Sequence, residues 1–195
     1  MMEDKDKDKD KALSAEDKEL VWEELSTEHI VTDEWIDFRR SSFRFPDGSI
    51  YEPYYSYTRR NYVVIVASDE EGRFICVKQF RQGIREVTTE FPAGCIEDNE
   101  SDALLTAKRE LREETGYESD EWEHLITVPS NATIADNYAH LYRAKNCRKV
   151  SGQDLDDMEF LNVKRYSTDE IEELISSGHF QQAVHMLAWL LSVRR

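Results

Sequence analysis

Apolar residues recur along this chain in two rhythms. From Leu20 the pattern is strand-like and punctuated by turns, with 28–31 and 34–43 read as strands. Pro46-Asp47-Gly48 then reads as a hairpin turn into an aromatic-rich strand over 50–57. Strict alternation there puts Tyr51, Tyr55 and Tyr57 on one face and Tyr54 on the other. Residues 61–67, NYVVIVA, form a nearly unbroken apolar run, as expected of a strand buried on both faces. A turn over 69–72 leads to a partner strand over 74–79. Further strands are predicted at 122–128, 138–142 and 159–165, with a polar loop over 143–157 that holds Ser151-Gly152.

The second rhythm is helical. Leu104, Ala107 and Leu111 have core spacing on one face of a helix, and Gly116 stands where a helix end favours a left-handed residue. Gly94 and Asp98-Asn99 mark the turn before that helix, with Asn99 or Ser101 as its N-cap. Ser167-Thr168-Asp169-Glu170 is a capping box for a helix reaching about Ile175, with Gly178 as its stop. A last helix starts near Gln181, with Val184, Leu187, Ala188 and Leu191 on one face.

The outward face of the helix before Gly116 changes the picture. Residues three and four apart meet on one side of a helix, so Glu110 crowds against Glu113 and Glu114. A solvated acidic face has this appearance too. Where carboxylates crowd, either one protonates or a cation settles among them. Carboxylate oxygens, retained waters and substrate phosphates are the ordinary surroundings of Mg²⁺.

Composition narrows the classes. A chain of 195 residues suits one domain with a small extra subdomain. The tract over 1–13 is almost purely charged and is expected to be a disordered tail, 14–60 a strand-rich region, and 61–195 the main domain. A net charge of -16 with no basic run beyond arginine pairs argues against nucleic acid and anionic membranes as partners. An anionic substrate therefore depends on metal ions and a few arginines. The three cysteines, Cys76, Cys95 and Cys147, match no metal spacing and read as reduced thiols of a cytoplasmic protein. Cys95 reads as a small apolar filler. No secretory h-region or membrane-length apolar run is present.

One run carries more information than the rest. Gly94, five residues, Glu100, eight residues, then Arg109-Glu110-Leu111-x-Glu113-Glu114-x-Gly116-Tyr117 resembles the signature of the Nudix hydrolases. That signature has seven residues where this chain has eight, and its second half matches at every fixed position. Gln79-Phe80-Arg81, followed by Glu90-Phe91-Pro92-Ala93-Gly94, is similar to the ADP-ribose and nucleoside-diphosphate-sugar diphosphatase branch. The resemblance extends from about residue 30 to the C-terminus.

That resemblance implies an α+β fold, a Nudix-type α/β/α sandwich around a mixed sheet, with the strand-rich N-terminal region as an extension. It implies Mg²⁺-dependent hydrolysis, Mn²⁺ being a possible substitute, of the diphosphate bridge of ADP-ribose or a related nucleotide sugar. A dinucleoside polyphosphate or NADH as substrate, or a catalytically silent nucleotide sensor, are the alternatives. By resemblance Glu110, Glu113, Glu114 and the Ala93 carbonyl hold metal, and Arg109 orients Glu113. Glu159 resembles the branch's general base, with Asp154, Asp156 and Asp157 as rivals and a solvated acidic loop as the other reading. Arg81 resembles a diphosphate-binding residue, or else a surface ion-pair partner. Trp35 and Arg40 occupy a segment where relatives place a base-stacking aromatic and a phosphate-binding arginine, although Trp35 also suits core packing. Glu90 is expected to contact metal or an arginine near the substrate. The branch also implies a homodimer through 14–60.

Overall fold

A computed structural model describes residues 13–194. The charged tail expected over 1–13 lies, apart from Leu13, outside the described residues. The chain divides into two units, one ending at Arg59 and the other beginning at Arg60.

The first unit opens with a single helical turn, α1 (Ala15–Lys18), whose N-cap Ser14 accepts the amide N–H of Asp17. Then β1 (Glu23–Thr32), β2 (Asp37–Arg44) and β3 (Ile50–Thr58) form an antiparallel meander. Gly48 turns the second hairpin at φ 86°, and Asp47 accepts the Ser49 amide beside it. Trp22 anchors an aromatic face, with ring centroids 4.4 Å from Phe45, 5.8 Å from Phe43 and 5.7 Å from Tyr54. Tyr51 belongs to the same cluster, 6.3 Å from Tyr54, while Tyr55 stacks on Phe38 at 5.6 Å. Simple alternation therefore fails between Tyr51 and Tyr54. The pairing of β2 with β3 shifts register between Ser41 and Phe43, and the extra residue changes which side chains share a face.

The second unit is built on an eight-stranded mixed sheet. Its strands are β4 (Tyr62–Asp69), β5 (Phe74–Arg81), β6 (Glu86–Glu90), β7 (Ala93–Cys95), β8 (Tyr117–Glu118), β9 (Glu121–Pro129), β10 (Tyr138–Lys149) and β11 (Leu161–Tyr166). The main order is β11-β5-β4-β10-β8, with β6 on β5, β7 on β4 and β9 on β10. β4 and β10 are parallel, and the other pairings in this sheet are antiparallel.

The unbroken apolar run in β4 has a direct cause: both of its faces are covered. Val63, Ile65 and Ala67 pack toward Ala103, Ala107 and Leu111 of α2 (Ala103–Thr115). Val64 and Val66 turn the other way, into a cluster with Ile171 of α3 (Thr168–Ser176) and with Ala188 and Trp189 of α4 (Ala183–Val193). Helices on both faces of one sheet make the expected α/β/α sandwich. The Trp189 ring meets Phe74 edge-on at 4.7 Å, and each fully buried side chain of this size stabilises the fold by about 2–3 kcal/mol.

Several local expectations change in the structure. The N-cap of α2 is Asp102, not Asn99 or Ser101; its carboxylate accepts the Leu104 amide. Residues 143–149, expected in a loop, continue β10 because Ala144 and Cys147 are buried and β8, β9 and β4 all pair there. The expected face of α4 does meet the core, with Ala188 fully buried and Val184, Leu187 and Leu191 packed partly buried against it, while the most buried line is His185, Ala188, Trp189 and Ser192. The aromatic ring of Trp189 fills the space between Phe74 and Phe91. β6 and β7 were not anticipated. Cys95 is exposed rather than filling a gap, while Cys76 and Cys147 are buried, and all three are free thiols.

Candidate active site

The site forms where β7 runs past the side of α2 that carries Glu110 and Glu114. Gly94 opens it by having no side chain. A Cβ built on Gly94 would lie 2.0 Å from the carboxyl carbon of Glu110, so that carboxylate rests directly against the Gly94 backbone. Beside it, Glu114 accepts the backbone N–H of Ala93 at 3.1 Å. Both carboxylates are buried, at 7% and 3% exposure, although each carries a formal charge at neutral pH in water.

That burial has an electrostatic cost. Loss of solvent pushes the Glu110 carboxyl up to about 7; Arg109 opposes the rise, and the charges of Glu113 and Glu159 add to it. Burial likewise holds the Glu114 carboxyl well above its ordinary value, with Glu110 and Glu159 reinforcing the effect. Glu110, Glu113 and Glu114 from α2 and Glu159 from the loop before β11 thus crowd like charges together, to the cost of Glu110 and Glu114. A divalent cation relieves this repulsion.

The donor set suits a hard ion. It consists of the carboxylate oxygens of Glu110 and Glu114, the kind of donor that Mg²⁺ prefers over softer metals. Among the described residues no group of three or more His, Cys, Asp or Glu side chains closes a metal cage by itself. Mg²⁺ commonly completes an incomplete shell with waters and substrate phosphates.

Arg109 braces this arrangement. It donates to both oxygens of Glu100 at 2.9 and 3.0 Å, to Glu113 at 2.8 Å and to the Cys95 carbonyl at 3.4 Å, and lies 2.9 Å from Glu110. Its bond from Arg109, with further bonds from the Glu97 amide and Thr106, lowers the Glu100 carboxyl to about 2. Despite the extra residue between them, Glu100 and Arg109 still meet in a fork.

Arg81 projects from the end of β5 and donates to Glu90 of β6 through Nε and Nη2. Glu90 is completely buried and receives a further long bond from Gln182 at 3.5 Å. Electrostatic attraction links Arg81 to Glu114 as well. Next along the chain, the Phe91 amide donates to His185 of α4 at 3.2 Å, so α4 supports the segment that leads into Ala93. Nothing in the sequence singled out Gln182 or His185, because their partners lie more than ninety residues away.

Glu159 sits in the loop before β11. Its amide donates to the Asp156 carbonyl at 2.9 Å, and its carboxylate accepts the Asp156 amide at 3.3 Å. The backbone amide of Asp154 donates to the Glu113 carbonyl at 2.9 Å. Trp35 and Arg40 belong to the first unit. The Trp35 amide donates to Asp33 in a tight turn and its side chain is 59% exposed, which removes core packing as its role. Arg40 pairs across the strands with Glu28.

A solved structure described as an ADP compounds hydrolase shares this fold, with a TM-score of 0.75 over 89% of this chain and 92% of that one, at 19% identity. The NUDIX domain model matches residues 58–190, and the chain belongs to the NUDIX family. Among curated relatives, the methanol dehydrogenase activator of Bacillus methanolicus is 34% identical over 65% of this chain and 68% of its own length. The ADP-ribose pyrophosphatase of Bacillus subtilis is 31% identical over 62% of this chain and 65% of its own. The matched segment thus spans about two thirds of each relative's length. Among the described residues no helix is long and apolar enough to cross a membrane.

Proposed function

We propose that this protein hydrolyses the diphosphate bridge of ADP-ribose or a related nucleotide sugar, yielding a nucleoside monophosphate and a sugar phosphate. The observation that carries this reading is the pair of buried carboxylates, Glu110 and Glu114, held against Gly94 and the Ala93 amide with the charge of Glu159 nearby. A buried, mutually opposed set of acids makes sense as a cation site and is otherwise a costly arrangement. The relative named ADP-ribose pyrophosphatase supports the substrate class.

In this reading Glu110, Glu114 and the Ala93 carbonyl hold Mg²⁺, with Glu113 binding the metal or its waters; Mn²⁺ fits the same oxygen donors. Bound there, the ion supplies charge neutralisation for the diphosphate and lowers the pKa of the attacking water. Arg109 keeps Glu113 and Glu110 in place from its anchor on Glu100. Arg81 uses one edge of its guanidinium on Glu90 and keeps further N–H groups to grip the diphosphate. Glu90 is then the buried counter-charge that aims Arg81. Glu159 takes the proton as water oxygen bonds to phosphorus and the bridging P–O bond breaks. The protein works as a cytoplasmic homodimer with residues 14–60 as the dimerisation segment, a reading supported by three free thiols and by exposed apolar side chains in that unit, among them Ile30, Val31 and Ile50.

A panel of nucleotide sugars, ADP-ribose, NADH and diadenosine polyphosphates tests the proposal, with Mg²⁺ present and released phosphate monoesters followed by a coupled phosphatase. One nucleotide sugar should dominate, and the Glu113→Gln/Glu114→Gln double variant should be inactive. Glu159→Gln should lower kcat by about a hundredfold with little loss of metal affinity, as removal of a general base does. Wild-type protein inert across the panel refutes the function, and a Glu159→Gln variant with normal turnover refutes that assignment.

A further inference from the structure

The C-terminal end of α2 is capped by a single downstream segment. The last carbonyls of a helix have no partner within it. Here the Glu113 carbonyl accepts the Asp154 amide at 2.9 Å, and the Glu114 carbonyl accepts the Gln153 side-chain amide at 2.8 Å. The Thr115 carbonyl accepts Lys149 Nζ at 2.6 Å, and the Gly116 carbonyl accepts the Val150 and Ser151 amides at 2.9 and 3.2 Å. Gly116 permits this close approach: a Cβ on it would lie 2.3 Å from the Ser151 carbonyl oxygen.

The capping segment leads straight into the loop that carries Glu159. Gln153 Nε2 also donates to the Leu161 carbonyl at 3.5 Å, so one amide group touches both the end of α2 and the start of β11. Between those points the loop has little apolar anchorage, since Met158 is 88% and Phe160 84% exposed. Its shape therefore depends on hydrogen bonds at its base.

We infer that Gln153 is a positioning residue, whose amide ties the Glu159 loop to the helix bearing Glu110 and Glu114. The inference rests on the proposed function for its catalytic consequence. The sequence suggested no such role, because Gln153 is one polar residue in an acidic loop.

The test uses Gln153→Glu, which keeps the shape but sets a carboxylate against two carbonyl oxygens, and Gln153→Lys, which restores N–H donors as Lys149 does at the neighbouring carbonyl. Hydrogen exchange of the whole chain, without metal or substrate, reads the tether itself. Amides over 154–160 should exchange about tenfold or more faster in Gln153→Glu, those of α2 up to Arg112 should not change, and Gln153→Lys should restore most of the protection. Turnover reads the consequence. Gln153→Glu should lower kcat by about tenfold or more at nearly constant KM, because small misplacements of a reacting group cost this much. In a Glu159→Gln background the same change should cost less than about twofold, since both act on one step. Unchanged exchange over 154–160 overturns the inference, and so does a kcat loss that persists undiminished in the Glu159→Gln background. Inert wild-type protein would refute the proposed function instead, and the exchange data would still decide whether Gln153 holds the loop.

Discussion

Gly94→Ala separates the site from the fold. Gly94 lies in β7 and is not among the glycines with positive φ, so alanine is conformationally allowed there. Its methyl group, however, would meet the Glu110 carboxylate, with the carbon at 2.0 Å and the oxygens at 2.1 and 2.3 Å. Ordinary contact needs about 3.5 Å, so the carboxylate has to retreat by about 1.5 Å. Glu110 is a side chain with free torsions, and moving it costs about 1 kcal/mol in rotamer strain. Stability should therefore change by no more than about 1 kcal/mol. Catalysis is more exacting: a displacement of about 1 Å costs about a hundredfold, or about 2.7 kcal/mol of transition-state stabilisation. Urea denaturation should thus give nearly the wild-type midpoint, while kcat/KM falls at least about a hundredfold and Mn²⁺ binding followed by electron paramagnetic resonance weakens. Gly83→Ala, where nothing lies within 4 Å, serves as the unaffected control. Wild-type metal affinity and turnover in Gly94→Ala would refute the reasoning that Glu110 must occupy this cradle.

Gly116→Ala should behave in the opposite way, destabilising the protein by about 2–4 kcal/mol in chemical denaturation, because φ of 71° and the Ser151 carbonyl both resist a side chain; a shift under about 1 kcal/mol would argue against a rigid cap. Burial lowers the His185 pKa from 6.5 to about 4, with Glu90 opposing and Arg81 assisting the shift. Its stabilising effect is thus complete above pH 6.5 and is lost as pH falls through about 4, about 2 kcal/mol of it by pH 5. Comparing urea midpoints at pH 7 and pH 5 for wild type and His185→Gln checks this, and equal pH dependence in the two proteins counts against it. Arg81→Met leaves Glu90 buried without its cation and should cost about 3 kcal/mol, most of it regained in Arg81→Met/Glu90→Leu. A double variant no more stable than the single one would show that the pair is not the source of the loss.

Much of the site was legible from local spacing. The i, i+3 and i, i+4 relations of a helix bring Glu110 next to Glu113 and Glu114 whatever the rest of the chain does, but the structure turns Glu110 and Glu114 inward on the side of Ala107 and Leu111 rather than onto an opposite, outward face. The apolar run in β4 likewise predicted a doubly covered strand, and the Ser167 capping box predicted where α3 begins. Such features depend on residues within about one or two turns of one another, so the sequence alone determined them.

Long-range pairing decided the rest. Only the folded chain brings Glu100 back to Arg109 despite the extra residue between them, lays Glu110 on Gly94, and closes Arg81 over Glu90. The same holds for the support of Phe91 by His185 and the capping of α2 by Gln153 and Lys149. The long β10 was missed for a related reason: a polar segment becomes strand when neighbouring strands satisfy its backbone, and no local propensity records those neighbours. The sequence determined, through helical periodicity, that Glu110, Glu113 and Glu114 stand within about one turn of one another. The tertiary structure decided how deeply they are buried and what holds them, because desolvation and hydrogen bonding depend on atoms brought together across the whole chain.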